Sequence, residues 1–156
     1  MSMDKKMTLK DVAERTGISI YTLRFYAREG LFAGVPRDKN GTHVFAESDI
    51  ETVYIIECLK KCGMSIREIR DFTQWTLEGD ATIGKRLKLF REKYAAMKKE
   101  AQKVNEVVDA LRYKVWFYET AEKAGSVKVH DTMKPEEIPD DMREIRSRMK
   151  HAERLA

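Results

Sequence analysis

The chain has 156 residues, of which 42% are hydrophobic and 36% charged, and its formal net charge is +4. This length favours one or two small domains, and the many charges with only three prolines favour long solvated helices over compact sheet. Apolar runs of only a few residues exclude a membrane-spanning helix, and the N-terminus lacks the apolar core of a signal peptide. With only two cysteines, these features predict a cytoplasmic protein.

Residues 8–30 have the pattern of two short helices joined by a tight turn. Thr8 and Ser19 are the predicted N-caps, and Gly17 is predicted to supply the positive φ of the turn. Leu23 lies on the apolar side of the second helix. This is the pattern of a helix-turn-helix, whose second helix enters the major groove of DNA, although all-α domains without a DNA role share it.

Helical periodicity is lost after this motif. Pro36 and the Asn40-Gly41 pair are turn signals, and they predict a two-stranded hairpin. A hairpin directly after a helix-turn-helix is a wing, which lies along the phosphate backbone. Its predicted polar contacts are Arg37, Lys39 and His43.

Two further helices are predicted before Gly79. The first begins at Glu47 with an acidic first turn, as the helix dipole favours. The second begins at Ser65, which forms a capping box with Glu68. Residues 1–79 therefore predict one winged helix-turn-helix DNA-binding domain.

Residues 80–124 predict a single long coiled-coil helix. Apolar residues recur there with gaps that alternate between four and three, which is a heptad seam of five repeats. So small a domain cannot bury this seam, and we expect a homodimer, with parallel and antiparallel pairing both open. The cations that crowd the start of the helix form either a solvated face or a face toward DNA. The seam residues are Ile83, Leu87, Phe90, Tyr94, Met97, Ala101, Val104, Val108, Leu111, Val115 and Tyr118.

Residues 125–156 predict a short C-terminal tail that is partly disordered, in which Met142, Ile145 and Met149 line a short helix. An aromatic group is open to two interpretations, a core or dimer contact and an effector pocket for a flat or cationic compound. Its members are Trp75, Tyr113, Trp116, Phe117 and Tyr118. The fold class predicted for the whole chain is all-α with a small hairpin wing.

Cys58 and Cys62 are the only candidates for redox or metal chemistry, and they share one helix face. A closed zinc site needs four ligands, and no histidine or third cysteine lies near in sequence, so we predict no metal and no cofactor. The chain also lacks a glycine-rich phosphate loop and any nucleophile with a base at catalytic spacing. These observations predict a protein that is not an enzyme.

Three sequence blocks resemble the MerR family of bacterial transcription regulators. They are TLRFYAREGLF, the proline-containing wing and GMSIREI. The order of the predicted parts also resembles the family: a winged helix-turn-helix, then a long dimerisation helix, then a short effector tail. Within the family, the chain is most similar to the AdhR/NmlR-like branch of aldehyde and thiol stress regulators. That likeness rests on ECLKKCGMSIREI and on EGDATIGKR at the head of the long helix.

The resemblance implies DNA contacts for individual residues. Arg24 and Tyr26 match family positions that contact phosphates and base edges, Arg37 matches the wing arginine, and exposed positions of the recognition helix set sequence preference. Where the family has Gly-Tyr-Arg-x-Tyr, this wing has GTHVF, which weakens the expected phosphate clamp because a largely neutral imidazole replaces a guanidinium. The predicted DNA-binding residues are Ser19, Tyr21, Thr22, Arg24, Tyr26, Arg37 and His43.

The resemblance also implies a mechanism. Such proteins bind double-stranded promoter DNA as homodimers at an inverted repeat and distort it so that RNA polymerase engages both promoter elements, in response to a small effector that the sequence does not identify. Cys58 is the sensor candidate, because its alkylation or nitrosylation would push helices apart; the alternative is a buried, inert cysteine. The alternative function is a coiled-coil interaction protein with weak or vestigial DNA binding.

Overall fold

The computed structural model describes residues 6–155, and the side chains of residues 6–151. The extreme termini, including the N-terminal segment used to argue against a signal peptide, lie outside the described residues. The described chain is all-α, and it divides into two compact units, Met1–Tyr94 and Ala95–Ala156. Its helices are α1 Leu9–Thr16, α2 Ile20–Arg28, α3 Glu47–Lys61, α4 Ile66–Glu78, α5 Ile83–Ala124, α6 Val129–Thr132 and α7 Asp140–Leu155, with 3-10 turns at Gly79–Thr82 and Pro135–Glu137.

The helix-turn-helix forms at the predicted residues. Thr8 caps α1 in a reciprocal box with Asp11, which satisfies two backbone amides at the helix start. Gly17 takes φ 73, a conformation that costs a residue with a Cβ, and its amide closes α1 onto Ala13. Ser19 then caps α2 by accepting from the Thr22 amide at 3.1 Å. The N-caps and the turn glycine are therefore confirmed.

One continuous apolar core holds the first unit together. It combines Val12 of α1, Leu23 of α2, Val53 and Ile56 of α3 and Ile69 of α4, all with no exposed surface. Burying side chains of this size stabilises the fold by about 1.5–3 kcal/mol each, before the entropy cost of ordering them. The same core fixes the orientation of α2, because α2 contributes Leu23 from its inner side.

The first unit extends beyond the predicted boundary at Gly79. Phe90 of α5 packs edge-to-face on Phe72 of α4 with ring centroids 5.3 Å apart, and Leu89 also packs against the core. Phe90 therefore serves the core of the first unit, although the heptad pattern assigns it to the seam. Periodicity alone could not separate these roles, since both bury an apolar side chain at the same spacing.

The predicted hairpin wing is not confirmed as a pair of strands. Residues 36–45 form a tight loop closed by one antiparallel pair, Arg37 with His43. The turn begins at Asp38 rather than centring on Asn40-Gly41: the Gly41 amide donates to the Asp38 carbonyl at 3.0 Å, with Gly41 at φ 77. The Asp38 carboxylate also accepts from the amides of Asn40 and Thr42, so side-chain bonds replace those that would extend a strand ladder.

The second unit forms around the C-terminal part of α5 and the tail. Met142 and Ile145 of α7 are buried against Tyr113, with Trp116 and Phe117 packed around them. Two ion pairs join α7 to α5, Arg112 with Asp141 at 3.1 Å and Arg148 with Asp109 at 3.0 Å. The tail is thus helical over Val129–Thr132 and Asp140–Leu155, where partial disorder was expected, because three apolar residues at helical spacing find an aromatic surface.

The remaining seam residues of α5 are exposed. Tyr94, Met97, Val104, Val108, Leu111, Val115 and Tyr118 all keep at least two fifths of their surface in solvent. Tyr113 lies five residues beyond Val108 and therefore about 140° around the helix, so the tail covers the side of α5 away from the seam. None of the described helices combines the length and the apolar character that a membrane span requires.

Candidate nucleic-acid interface

The outer side of α2 presents an exposed row of polar and aromatic side chains. Tyr21 keeps 78% of its surface in solvent, and Arg24 and Arg28 are exposed beside it. These positions are separated by three and four residues, so they form one row along the helix. Among the described residues, the Arg24 guanidinium has no hydrogen-bond or ion-pair partner, which leaves its five N–H donors available to phosphates or base edges.

Ser19 and Thr22 occupy the start of α2 and are engaged with each other. Their hydroxyl oxygens lie 2.9 Å apart, and Ser19 also caps the helix. Ser19 is exposed and Thr22 is half-buried. Both predicted residues therefore lie at the N-terminal end of the recognition helix, where the cap orders the backbone amides that a phosphate can approach.

Tyr26 does not lie on this face, which corrects its predicted role as a DNA contact. It has no exposed surface, and its hydroxyl donates to the Glu57 carboxylate of α3. Burial and the neighbouring carboxylate both raise the pKa of Tyr26 above its usual value, so the hydroxyl stays protonated as a donor. The Lys60 ammonium lies 5.4 Å from the ring centroid. Tyr26 therefore fixes the recognition helix on α3 rather than reading DNA itself.

In the loop after α2, Arg37 and Lys39 are exposed. Arg37 donates from Nη1 to the Gly41 carbonyl at 2.8 Å, a bond that holds the guanidinium along the loop. Its other N–H donors have no partner among the described residues. The loop thus presents two cations beside the short bridge that shapes it, as a wing does.

His43 is also placed differently from its prediction. It is only 9% exposed, and its ring lies edge-to-face on Phe32 at 5.9 Å between centroids. Burial, together with the positive charge of Arg37, lowers the pKa of His43 below its usual value. A buried, neutral imidazole cannot clamp a phosphate, so His43 is a packing residue of the loop.

Arg28 was not among the predicted DNA-binding residues. The signal for it was present in the sequence, since Arg28 follows Tyr21 and Arg24 at helical spacing on the predicted recognition helix. The family motif contains Tyr26 instead, and the resemblance therefore implied a DNA contact for Tyr26 and none for Arg28. Exposure separates these two neighbours: Arg28 faces solvent and Tyr26 faces the core.

Cys58 and Cys62 are free thiols, both half-buried, on α3 and at its C-cap. Within the described residues, no group of three or more His, Cys, Asp and Glu side chains is placed to hold a metal ion. The predicted aromatic group is divided between the units: Trp75 packs against the first core, whereas Tyr113, Trp116 and Phe117 belong to the second.

The model of the MerR HTH family regulatory proteins matches residues 7–74, which contain this interface. An uncharacterized HTH-type transcriptional regulator of Haemophilus influenzae is 41% identical over 121 residues, covering 78% of this chain and 90% of the relative. The chain belongs to the MerR family of transcriptional regulators. AdhR of Bacillus subtilis, another HTH-type regulator, is 35% identical over 77 residues, 49% of this chain and 55% of AdhR.

Solved structures of MerR regulators share the fold. HiNmlR, described as a MerR family regulator lacking the sensor domain and bound to promoter DNA, is 40% identical with a TM-score of 0.65, covering 80% of this chain and 99% of its own. A MerR family regulator from Bacillus thuringiensis is 32% identical with a TM-score of 0.63, covering 71% and 97%. This MerR chain is therefore a transcriptional regulator, and the resemblance to the AdhR/NmlR-like branch is confirmed.

Proposed function

We propose that this regulator binds an inverted repeat in promoter DNA as a homodimer, with the row Tyr21, Arg24 and Arg28 of each α2 in a major groove. The observation that supports this most directly is the exposure of that row on a helix capped by Ser19 and braced from behind by Tyr26. Arg37 and Lys39 would contact adjacent phosphates from the loop. A neighbour of the same fold is described as bound to promoter DNA.

The second copy of the chain is proposed from the seam of α5. Its apolar residues are exposed over about seven turns, and a groove lined by Leu111, Val115, Tyr118 and Val127 continues the apolar surface. Isolated apolar residues on a surface are ordinary, but a continuous heptad stripe marks a coiled-coil partner. Two-fold pairing would place two recognition helices on the two halves of an inverted repeat.

We further propose that the bound dimer distorts the promoter, which brings both promoter elements within reach of RNA polymerase. Bending costs a deformation energy of about 1–6 kcal/mol that depends on the sequence bent, so specificity arises at uncontacted positions. Cys58 is the candidate sensor of an electrophilic effector, supported by its free, half-buried thiol and by its place next to Glu57, which holds Tyr26. An inert cysteine is the alternative.

Binding of the purified protein to its own upstream DNA, across a salt series, tests the proposal. We expect Arg24→Ala to weaken binding by about 1–3 kcal/mol, roughly 5- to 150-fold, because it removes a direct DNA contact. The matched control is Arg146→Ala, which removes an exposed arginine from α7. Equal effects of the two variants, or none from Arg24→Ala, would favour the interaction-protein alternative.

The same DNA-binding measurement, repeated with an aldehyde, tests whether Cys58 is the sensor. Addition of an aldehyde is expected to change the footprint of the wild-type protein and to leave that of Cys58→Ala unchanged. An identical aldehyde response in both proteins would contradict a sensing role for Cys58 without affecting the DNA-binding proposal.

A further inference from the structure

The two cysteines of α3 form a matched pair at the end of the helix. Cys58 lies in the last turn and Cys62 is the C-cap, whose amide donates to the Cys58 carbonyl at 2.9 Å. Helical geometry therefore extends through both residues. Side chains four residues apart on a helix lie on one face, with Cβ atoms about 5–6 Å apart. Both cysteines carry free thiols and are half-buried as residues, so neither belongs to the fully buried core.

This spacing suits a bridging atom better than a direct bond between the sulfurs. A disulfide requires Cβ atoms about 3.5–4.5 Å apart, so joining Cys58 to Cys62 directly would unwind the last turn of α3. One atom inserted between the sulfurs spans the larger separation and leaves the helix intact. The pair is thus arranged as a chelating dithiol.

The number of protein groups that can donate to a bound atom restricts which metal or metalloid the cysteine pair can hold. No third histidine, cysteine or carboxylate within the described residues joins the pair, whereas a closed zinc site takes four ligands. Soft thiolates select soft centres. A trivalent arsenic atom that carries one organic group has two positions left for thiolates, which is the number of sulfurs here.

We propose that Cys58 and Cys62 together bind monosubstituted trivalent arsenicals. The hydrated arsenical, R–As(OH)2, reacts with the two thiols to give R–As bridged by both sulfurs. Two As–O bonds are replaced by two As–S bonds, and each thiol proton leaves with a hydroxide as water. Arsenic remains trivalent and both sulfurs keep their oxidation state, so no oxidant or reductant takes part.

The bridged site lies on the turn of α3 that supports the recognition helix. Glu57 accepts the Tyr26 hydroxyl bond, and the Lys60 ammonium lies 5.3 Å and 5.4 Å from the ring centroids of Phe25 and Tyr26. Both residues are within two positions of Cys58. A bridge between the two sulfurs would therefore act on the contact between α3 and α2. This inference deepens the sensor role proposed for Cys58, and its regulatory consequence rests on that proposed function.

Intact-mass analysis of the full-length protein with phenylarsine oxide tests the site. We expect one phenylarsenic group per chain, loss of both thiols to iodoacetamide, and release by a dithiol but not by an equal concentration of monothiol. Cys62→Ser keeps Cys58 and the helix, and it should bind at least about 100-fold more weakly, since the second bond is no longer intramolecular. Equal affinity in Cys62→Ser and wild type would overturn the chelate.

The regulatory consequence has its own measurement. DNA affinity of the loaded wild-type protein should change at least threefold, and that of arsenical-treated Cys62→Ser should not change. Unaltered DNA binding of the loaded wild type would overturn the coupling to α2. Because mass analysis needs no DNA, absence of the chelate is distinguishable from absence of DNA binding, and an aldehyde response retained in Cys62→Ser separates this dithiol site from single-thiol sensing by Cys58.

Discussion

The first unit and the second unit bury their apolar residues to different extents. In the first, four helices and the loop supply a closed core in which seven of the described residues have no exposed surface, and Leu31 and Phe32 are each only 1% exposed. The seven are Val12, Leu23, Tyr26, Phe45, Val53, Ile56 and Ile69. In the second, α7 covers only one side of α5, and Tyr113, Met142 and Ile145 form its small core. The opposite side keeps a stripe of exposed apolar residues.

This difference means that the closed core of the first unit needs no second copy of the chain. A closed core gains its hydrophobic stabilisation within one copy, so its stability does not depend on protein concentration. An exposed heptad stripe gains the same stabilisation only when a second surface covers it, so its contribution depends on concentration. The position of α2 is consequently set within each chain, whereas in the proposed dimer the spacing of two such helices would depend on the second copy.

The largest effect is expected in the closed core. Phe45→Ala removes a fully buried ring that packs on Phe32 at 5.2 Å, and it should lower the free energy of unfolding by about 3–5 kcal/mol. Tyr54→Ala is the control, since Tyr54 is an aromatic residue of α3 that is 64% exposed, and we expect a change within about 0.5 kcal/mol. Denaturant unfolding measures both. Similar losses in the two variants would contradict the closed core.

A change of oligomeric state is expected from the stripe. Leu111→Glu removes an apolar contact from both chains of the proposed dimer and should weaken dimerisation by about 3 kcal/mol or more, roughly 100-fold. Val107→Glu is the matched control, because Val107 is 60% exposed against 62% for Leu111 but lies outside the heptad seam. Sedimentation velocity over a concentration series gives the dissociation constants. If Val107→Glu dissociates the protein equally, the seam is not the interface.

Local signals in the sequence were sufficient for the helix-turn-helix. Caps and turns depend on residues close together in the chain, and Thr8, Gly17, Ser19 and Ser65 all have their predicted roles. Local signals were not sufficient to predict the structure of the tail, because Met142 and Ile145 pack against Tyr113, about thirty residues earlier in the chain. Its polar composition indicated disorder, and no local pattern shows which distant surface an amphipathic helix will cover.

The site was predicted less completely for a similar reason. Arg24 and Tyr21 are exposed as expected, since positions three and four residues apart lie on the same face of an amphipathic helix. Tyr26 is buried because Glu57, 31 residues later, supplies an acceptor for its hydroxyl. His43 is buried because the aromatic rings of Phe32 and Phe45 surround it. A polar residue type predicts an exposed position only when the folded chain offers no buried partner for that side chain. The tertiary fold determines these partners, and the local sequence does not show them.

The smallest expected effect is a pH dependence within the first unit. The pKa of His43 is lowered in the folded protein by burial and by Arg37, whereas the unfolded chain binds a proton near pH 6.5. Below about pH 6.5 the unfolded state therefore binds more protons at position 43 than the folded state does. The free energy of unfolding consequently decreases as the pH falls from about 6.5 toward the lower pKa of folded His43.

His43→Gln keeps a hydrogen-bonding side chain but cannot titrate, so its free energy of unfolding should fall less steeply than that of the wild type between pH 7 and 5. His151→Gln changes an exposed histidine of α7 and should retain the wild-type slope. Denaturant titrations at several pH values compare the three proteins, and carboxylates contribute equally to each. Parallel slopes for wild type and His43→Gln would mean that His43 accepts a proton as readily folded as unfolded, and the loop would then present a titratable cation to DNA after all.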